Sequence, residues 1–174
     1  MFRITPKRLA GISSTLTIVL ALVLATTTLA KGPVTQRVSA GGPDACMAIH
    51  GEHTGCNANF SLVGNVKADG SMSGQFTDRL AKGDGFHAVI DCVSILGRDA
   101  WVSGVITQGT LTLTNGDVRD LTGLPVATRV RDNGTSAKDP ADQISYSFLG
   151  DPRPCTDHID YVLFDAPEGQ VVIK

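Results

Sequence analysis

Two apolar runs rich in Val and Ile flank a Gly97-Arg98 pair between residues 86 and 108. β-branched side chains fit a pleated, half-buried surface, so both runs read as strands. Gly as the first of two turn residues suits a type II′ hairpin, because that position needs a positive φ. This turn sets Ile95 against Ala100, Val93 against Val102 and Val89 against Ile106. One face is then apolar except for Asp91, which falls opposite Gly104 and points into the core. A slip of one residue puts Phe86, Ala88, Ile90, Cys92 and Leu96 on that face instead, and this set is apolar too. Alternation alone leaves the register open, and the Gly-first turn favours the first. With apolar side chains on both faces, the hairpin is expected inside the sheet.

A second hairpin spans residues 60–79. A two-residue Asp69-Gly70 turn would place Val66 beside Ser73 and Leu62 beside Thr77. A three-residue turn, Ala68-Asp69-Gly70 with Gly70 left-handed, pairs Val66 with Met72, Leu62 with Phe76 and Gly64 with Gly74. Only the second gathers Phe60, Leu62, Val66, Met72 and Phe76 on one face. Burial is worth about 1.5–3 kcal/mol per large side chain, which decides for it.

Further strands follow at short spacing. Residues 110–114 alternate and meet an Asn115-Gly116 turn. In residues 125–132, Val126, Thr128 and Val130 share one face, while Arg129 and Arg131 share the other. Residues 132–143 form a polar loop. Ile144, Tyr146 and Phe148 alternate as a return strand, residues 161–164 as another, and residues 170–174 as the last. Residues 31–45 are polar, rich in Gly and Pro and without period, and are expected to form a flexible lead-in. Eight or nine hairpin-linked strands with no helix indicate an all-β fold. A small antiparallel barrel is favoured over a β-sandwich, since closure removes exposed edges.

The start of the chain changes the picture of where this domain works. Arg3, Lys7 and Arg8 precede an apolar run, and Thr28 and Ala30 stand at −3 and −1 of a cleavage site. Residues 1–30 therefore read as a signal peptide, too short in their apolar part for a membrane span of about 20 residues. Residues 46–174 then form a single β-domain behind the lead-in. Removing three of fifteen basic residues leaves twelve against seventeen acidic ones, a net charge of −5 for residues 31–174. An acidic surface opposes nucleic acid and anionic membrane as partners. Few aromatics oppose a broad stacking platform. No further long apolar run follows, so no membrane span is expected in the exported part.

All four cysteines lie in that exported part. An even count in an oxidising compartment reads as two disulfides. Three pairings exist; Cys46–Cys56 with Cys92–Cys155 is favoured, the first closing a short loop and the second tying the central hairpin to the late chain. The run Cys46, His50, His53, Cys56 carries ligand types that suit zinc or copper. Its spacing matches no zinc module, and export favours the disulfide.

Candidate chemistry is sparse. Asp91, with His87 on the same face, would serve as a general acid or ligand contact in a barrel interior, because a buried carboxylate must be paired or neutralised. Asp132, Asn133, Asp139 and Asp142 offer oxygen ligands for calcium, although the spacing is not that of an EF-hand and the same residues are ordinary loop chemistry. Asp157, His158 and Asp160 form a third polar cluster. No G-x-S-x-G elbow, P-loop or HExxH run occurs.

Asn59-Phe60, residues 74–76, residues 92–104 with Ala100-Trp101-Val102-Ser103-Gly104, residues 129–134 and residues 168–171 together resemble a family of uncharacterised exported bacterial β-domains. The resemblance covers about two thirds of the chain. It implies bacterial export and an all-β fold, with the domain alone behind a signal peptide or as a unit in larger secreted or surface proteins. It implies no activity, since fold does not carry one.

Three functions are compatible with these features. The favoured one is a secreted, disulfide-stapled binding or structural module that is not an enzyme, with an extracellular macromolecule as partner and no cofactor. The second is a small barrel enzyme or small-molecule binder using Asp91 and His87. The third is an exported metal-binding protein using Cys46, His50, His53 and Cys56.

Overall fold

The computed structural model describes residues 32–43, 59–80, 83–136, 138–166 and 168–174. Eleven strands lie in one antiparallel sheet: β1 (Val34–Pro43), β2 (Asn59–Lys67), β3 (Met72–Arg79), β4 (Gly85–Leu96), β5 (Asp99–Thr112), β6 (Val118–Asp120), β7 (Pro125–Arg131), β8 (Gln143–Ser145), β9 (Phe148–Leu149), β10 (Leu163–Asp165) and β11 (Gln170–Ile173). The order is β10-β8-β7-β5-β4-β3-β2-β1-β11, with β6 on β5 and β9 on β7. The sheet curls into a half-barrel, in line with the expected all-β small barrel. A short 3-10 turn, Cys155–Asp157, is the helical element that bears on the strap described below.

The β2–β3 hairpin has the three-residue turn. Val66 pairs with Met72, Gly64 with Gly74 and Leu62 with Phe76, and Gly70 sits at φ 78°. The central hairpin is more instructive. Ile95 faces Ala100 and Val93 faces Val102, and Gly97 takes φ 62°, as the Gly-first turn requires. The pattern then breaks. Ile90 faces Gly104 and Cys92 faces Ser103, so Asp91 is an extra residue in a β-bulge. A bulge inverts the alternation. Val93 points inward on the turn side, while Ile90, Ala88 and Phe86 point inward beyond it. The first register therefore holds on the turn side of Asp91 and the slipped one from Ile90 to Ala88, after which a second shift between Ala88 and His87 leaves Thr107 as the extra residue. Gly104 allows the bulge at Asp91, because a Cβ there would meet the Val89 carbonyl oxygen and lie 2.8 Å from the Ile90 Cα.

Asp91 is consequently exposed rather than aimed into the core. Val89 pairs with Val105, not Ile106, and is exposed as well.

Residues 34–43 also depart from expectation. They form β1, the strand that joins β2 to β11. Val38 and Ala40 alternate into the core, fully and almost fully buried. Pairing on both sides supplies the stabilisation that local composition does not. The return strand is interrupted: β8 ends at Ser145 and β9 begins at Phe148. Residues 110–112 continue β5 rather than starting a new strand.

One core fills the concave side, built from Val38, Leu62, Phe76, Ile90, Val93, Val102, Ile106, Leu121, Val126, Val130 and Val171 among others. The convex side of β4, β5 and β7 is covered by a strap, residues 150–161. Cys155 bonds Cys92. Trp101 Nε1 donates to the Ile159 carbonyl at 2.7 Å, and Arg129 lies 5.0 Å over the indole. The Tyr161 ring stacks on Phe148 at 4.0 Å. Burial and the bond to Asp151 push the Tyr161 hydroxyl up to about 12. The outer face of β4–β5 thus carries a second, smaller core, which accounts for the apolar residues on both sides of the central hairpin.

Candidate functional site

Three of the four acid-loop candidates have their oxygens engaged by the chain itself. Asp132 follows β7 directly, and Asp142 precedes β8 directly. Asp132 accepts from the backbone N–H of Gly134 and of Ile173. Asp142, itself buried, accepts from Asn133 at 2.8 Å and from Val171 at 2.6 Å. Arg37 and Lys174 exchange both backbone bonds, so alternation turns the N–H groups of Ile173 and Val171 away from β1. The two carboxylates thus take the place of ladder carbonyls along the free edge of β11. Asp139 accepts from Ser136 within the loop, and the Asn133 side chain donates to Ala141. These residues hold a seam between the loop and β11. Among the described residues, no group of three or more His, Cys, Asp or Glu is arranged to hold a metal ion.

The 157–160 cluster belongs to the strap, and two of its residues bond the sheet. His158 Nε2 lies 2.7 Å from Ser94 Oγ, and the exposed Asp160 pairs with Arg129. Cys92–Cys155 is a disulfide, as expected. Cys46, His50, His53 and Cys56 lie outside the described residues.

The candidate site that remains is at the other end of the sheet. An open groove of about 1050 Å³ runs along the ends of β2 to β6, at the upper edge of the roughly 300–1,000 Å³ typical of small-molecule sites. Asn59, Thr77, Asp78, Arg79, Asp84, His87, Gln108, Thr110, Asp120 and Thr122 are among the residues that line it. His87 was singled out from sequence and is here, its Nδ1 2.8 Å from Thr77 Oγ1. Asp91 is not among the lining residues.

Asp78 takes the place that Asp91 was expected to fill. The inward alternation Phe60, Leu62 on β2 and Phe76 on β3 runs two residues further and turns Asp78 inward. Phe60 and Phe86 are its partners on the neighbouring strands. Gly85 lets the backbones close here, since a Cβ would meet the Asp78 carbonyl oxygen, and its φ of 135° suits glycine. Asp78 is 6 % exposed. Ser147, from the break between β8 and β9, donates to its Oδ2 at 2.6 Å. Its Oδ1 is the one buried side-chain polar atom without a hydrogen bond among the described residues. An unpaired buried acceptor is costly, and native structures carry few of them.

Burial pushes the Asp78 carboxyl above its ordinary range, and the bond from Ser147 offsets part of this. The folded chain therefore holds this proton more tightly than the unfolded chain. The contribution of Asp78 to stability falls as pH rises from about 4 through its raised folded value, and is lowest at neutral pH. Asp78→Asn is expected to raise unfolding free energy at neutral pH by about 1–3 kcal/mol. The gain should shrink below about pH 4. Urea unfolding of both proteins at the two pH values checks this; an equal gain at both would exclude the carboxylate charge as its cause.

No protein-family model, no curated protein and no solved structure gives a significant match to this chain. The reading of the site therefore rests on its own geometry.

Proposed function

We propose that this chain is an exported β-domain, released from residues 1–30, that serves as a binding or structural module outside the cytoplasm. The observation that carries this reading is the Cys92–Cys155 disulfide. It fastens the strap to the central hairpin, and such bonds persist in oxidising compartments. The compact β-unit begins at Lys31, directly after the small-residue cleavage pattern. The concave side is filled by aliphatic and aromatic side chains, which leaves the convex surface and the strand ends for contacts. Among the described residues no helix is long and apolar enough to cross a membrane.

An intact mass spectrum of the protein recovered from its native host tests the reading. The expected species starts at Lys31, with a mass four hydrogens below that of the reduced chain. A full-length, fully reduced chain recovered from the cytoplasm would overturn it.

A further inference from the structure

We propose that Asn115 is a site of spontaneous covalent modification: its side-chain amide is lost by cyclisation onto the Gly116 backbone nitrogen, and the β5–β6 hairpin loosens as a result. The step needs only the chain and water. The Gly116 nitrogen gives up its proton and bonds to Asn115 Cγ. The bond from Cγ to Nδ2 breaks, and ammonia leaves with that proton. Water then opens the cyclic imide at either carbonyl, leaving aspartate or isoaspartate at position 115.

The chain contains two Asn-Gly pairs, Asn115-Gly116 and Asn133-Gly134, and the fold exposes one and holds the other. Residues 112–120 are all exposed. Gly116 has nothing within 4 Å of where a Cβ would stand, so its nitrogen is open to approach. Its N–H donates to the Leu113 carbonyl at 2.9 Å. Freeing that nitrogen breaks few bonds, because β6 is three exposed residues paired to β5 on one side, and such edges open locally at low cost. Asn133-Gly134 is tied into the seam instead. The Asn133 N–H donates to Asp142, its side chain donates to the Ala141 carbonyl, and the Gly134 N–H donates to Asp132. The Asp139 carboxylate also stands where a Gly134 Cβ would be, which closes that approach.

The modification strikes the contacts that shape the turn. Asn115 Nδ2 donates to Asp117 Oδ2 at 2.7 Å, and the Asp117 N–H donates to Asn115 Oδ1 at 3.1 Å. Side-chain bonds of this kind to the backbone two residues on fix a turn. Loss of ammonia sets a carboxylate against the Asp117 carboxylate, so a bond becomes a like-charge contact. Isoaspartate also lengthens the main chain inside the turn closed by the Leu113 N–H and the Asp117 carbonyl. Val118 and Asp120 line the groove, so its β6 wall loosens with the turn. The chemistry does not depend on export, so it stands or falls separately from the function proposed above.

The test incubates the oxidised protein in mildly alkaline buffer and follows both positions by peptide mass spectrometry, with electron-transfer fragmentation to separate isoaspartate from aspartate. The same protein in guanidinium chloride is the reference, in which both pairs should convert at similar rates. In the folded protein, position 115 is expected to convert at least about tenfold faster than position 133. Equal protection of the two positions, or faster conversion at 133, overturns the proposal. Asn115→Asp installs the charge directly, and hydrogen exchange of the β6 amides should quicken several-fold in it while that of Val102 stays unchanged. Unaltered β6 exchange in both this variant and the converted protein would overturn the loosening.

Discussion

Asp142→Ala is expected to lower the unfolding free energy by about 3–5 kcal/mol, since it deletes two hydrogen bonds to a charged group. Both are bonds to backbone N–H groups, one on Asn133 and one on Val171. Asp142 is buried, and so is Val171, so water cannot simply replace the lost acceptor. The damage should be directional. The amides of Asn133 and Val171 should lose hydrogen-exchange protection first, because they lose their acceptor, while β11 keeps its ladder to β1 and Ile173 keeps its bond to Asp132. Asp139→Ala is the contrasting variant. Its carboxylate accepts from Ser136 within an exposed turn, and the expected change is within about 0.5 kcal/mol. Calcium should leave the melting temperature of the unaltered protein where it is. A calcium-dependent rise that Asp142→Ala abolishes would restore the ion-binding reading of this loop and sink the seam.

Replacing Cys92 and Cys155 together by Ala is the second large effect. The bond spans 63 residues of sequence, and the chain-entropy model assigns a loop of that size about 4 kcal/mol. The strap has other anchors. Trp101 donates to Ile159, Arg129 pairs with Asp160, and the Tyr161 ring lies on Phe148. The sheet should therefore survive with its ladder intact while the strap loosens. Trp101 is the only tryptophan in the chain and is 7 % exposed beneath that strap, so its fluorescence reports the change directly. A red shift with retained far-ultraviolet dichroism is the expected signature. An unshifted emission together with unchanged stability would mean that the polar and aromatic anchors hold the strap unaided.

Much of the sheet was legible in the chain. The Ala68-Asp69-Gly70 turn could be chosen because only one turn length gathers Phe60, Leu62 and Phe76 on one face. Arg129 and Val130 could be placed on opposite faces because a strand has period two. The bulge at Asp91 was not legible. Both registers of the central hairpin are apolar, so local pattern gave no reason to join them, and the space that permits the change belongs to Gly104 on the partner strand. The candidate site suffered from the same cause. Asp91 fits an inward position in the first register, while the inward set Phe60, Leu62, Phe76 continues without interruption to Asp78.

By itself the sequence determined most of the strand content, the two hairpin turns and the inward-facing side chains of most strands. These depend on turn conformation and period-two burial, which act over short spans or through residue type. Only the tertiary structure decided where residues 34–43 belong, which carboxylate is buried and what the acid loop does. In each case the deciding partner is remote in sequence. β1 is a strand because β2 and β11 flank it. Asp142 is a seam residue because Val171 presents an N–H to it across 29 positions. Asp78 is unsatisfied because Ser147, 69 positions away, supplies one donor where a carboxylate has two oxygens to fill.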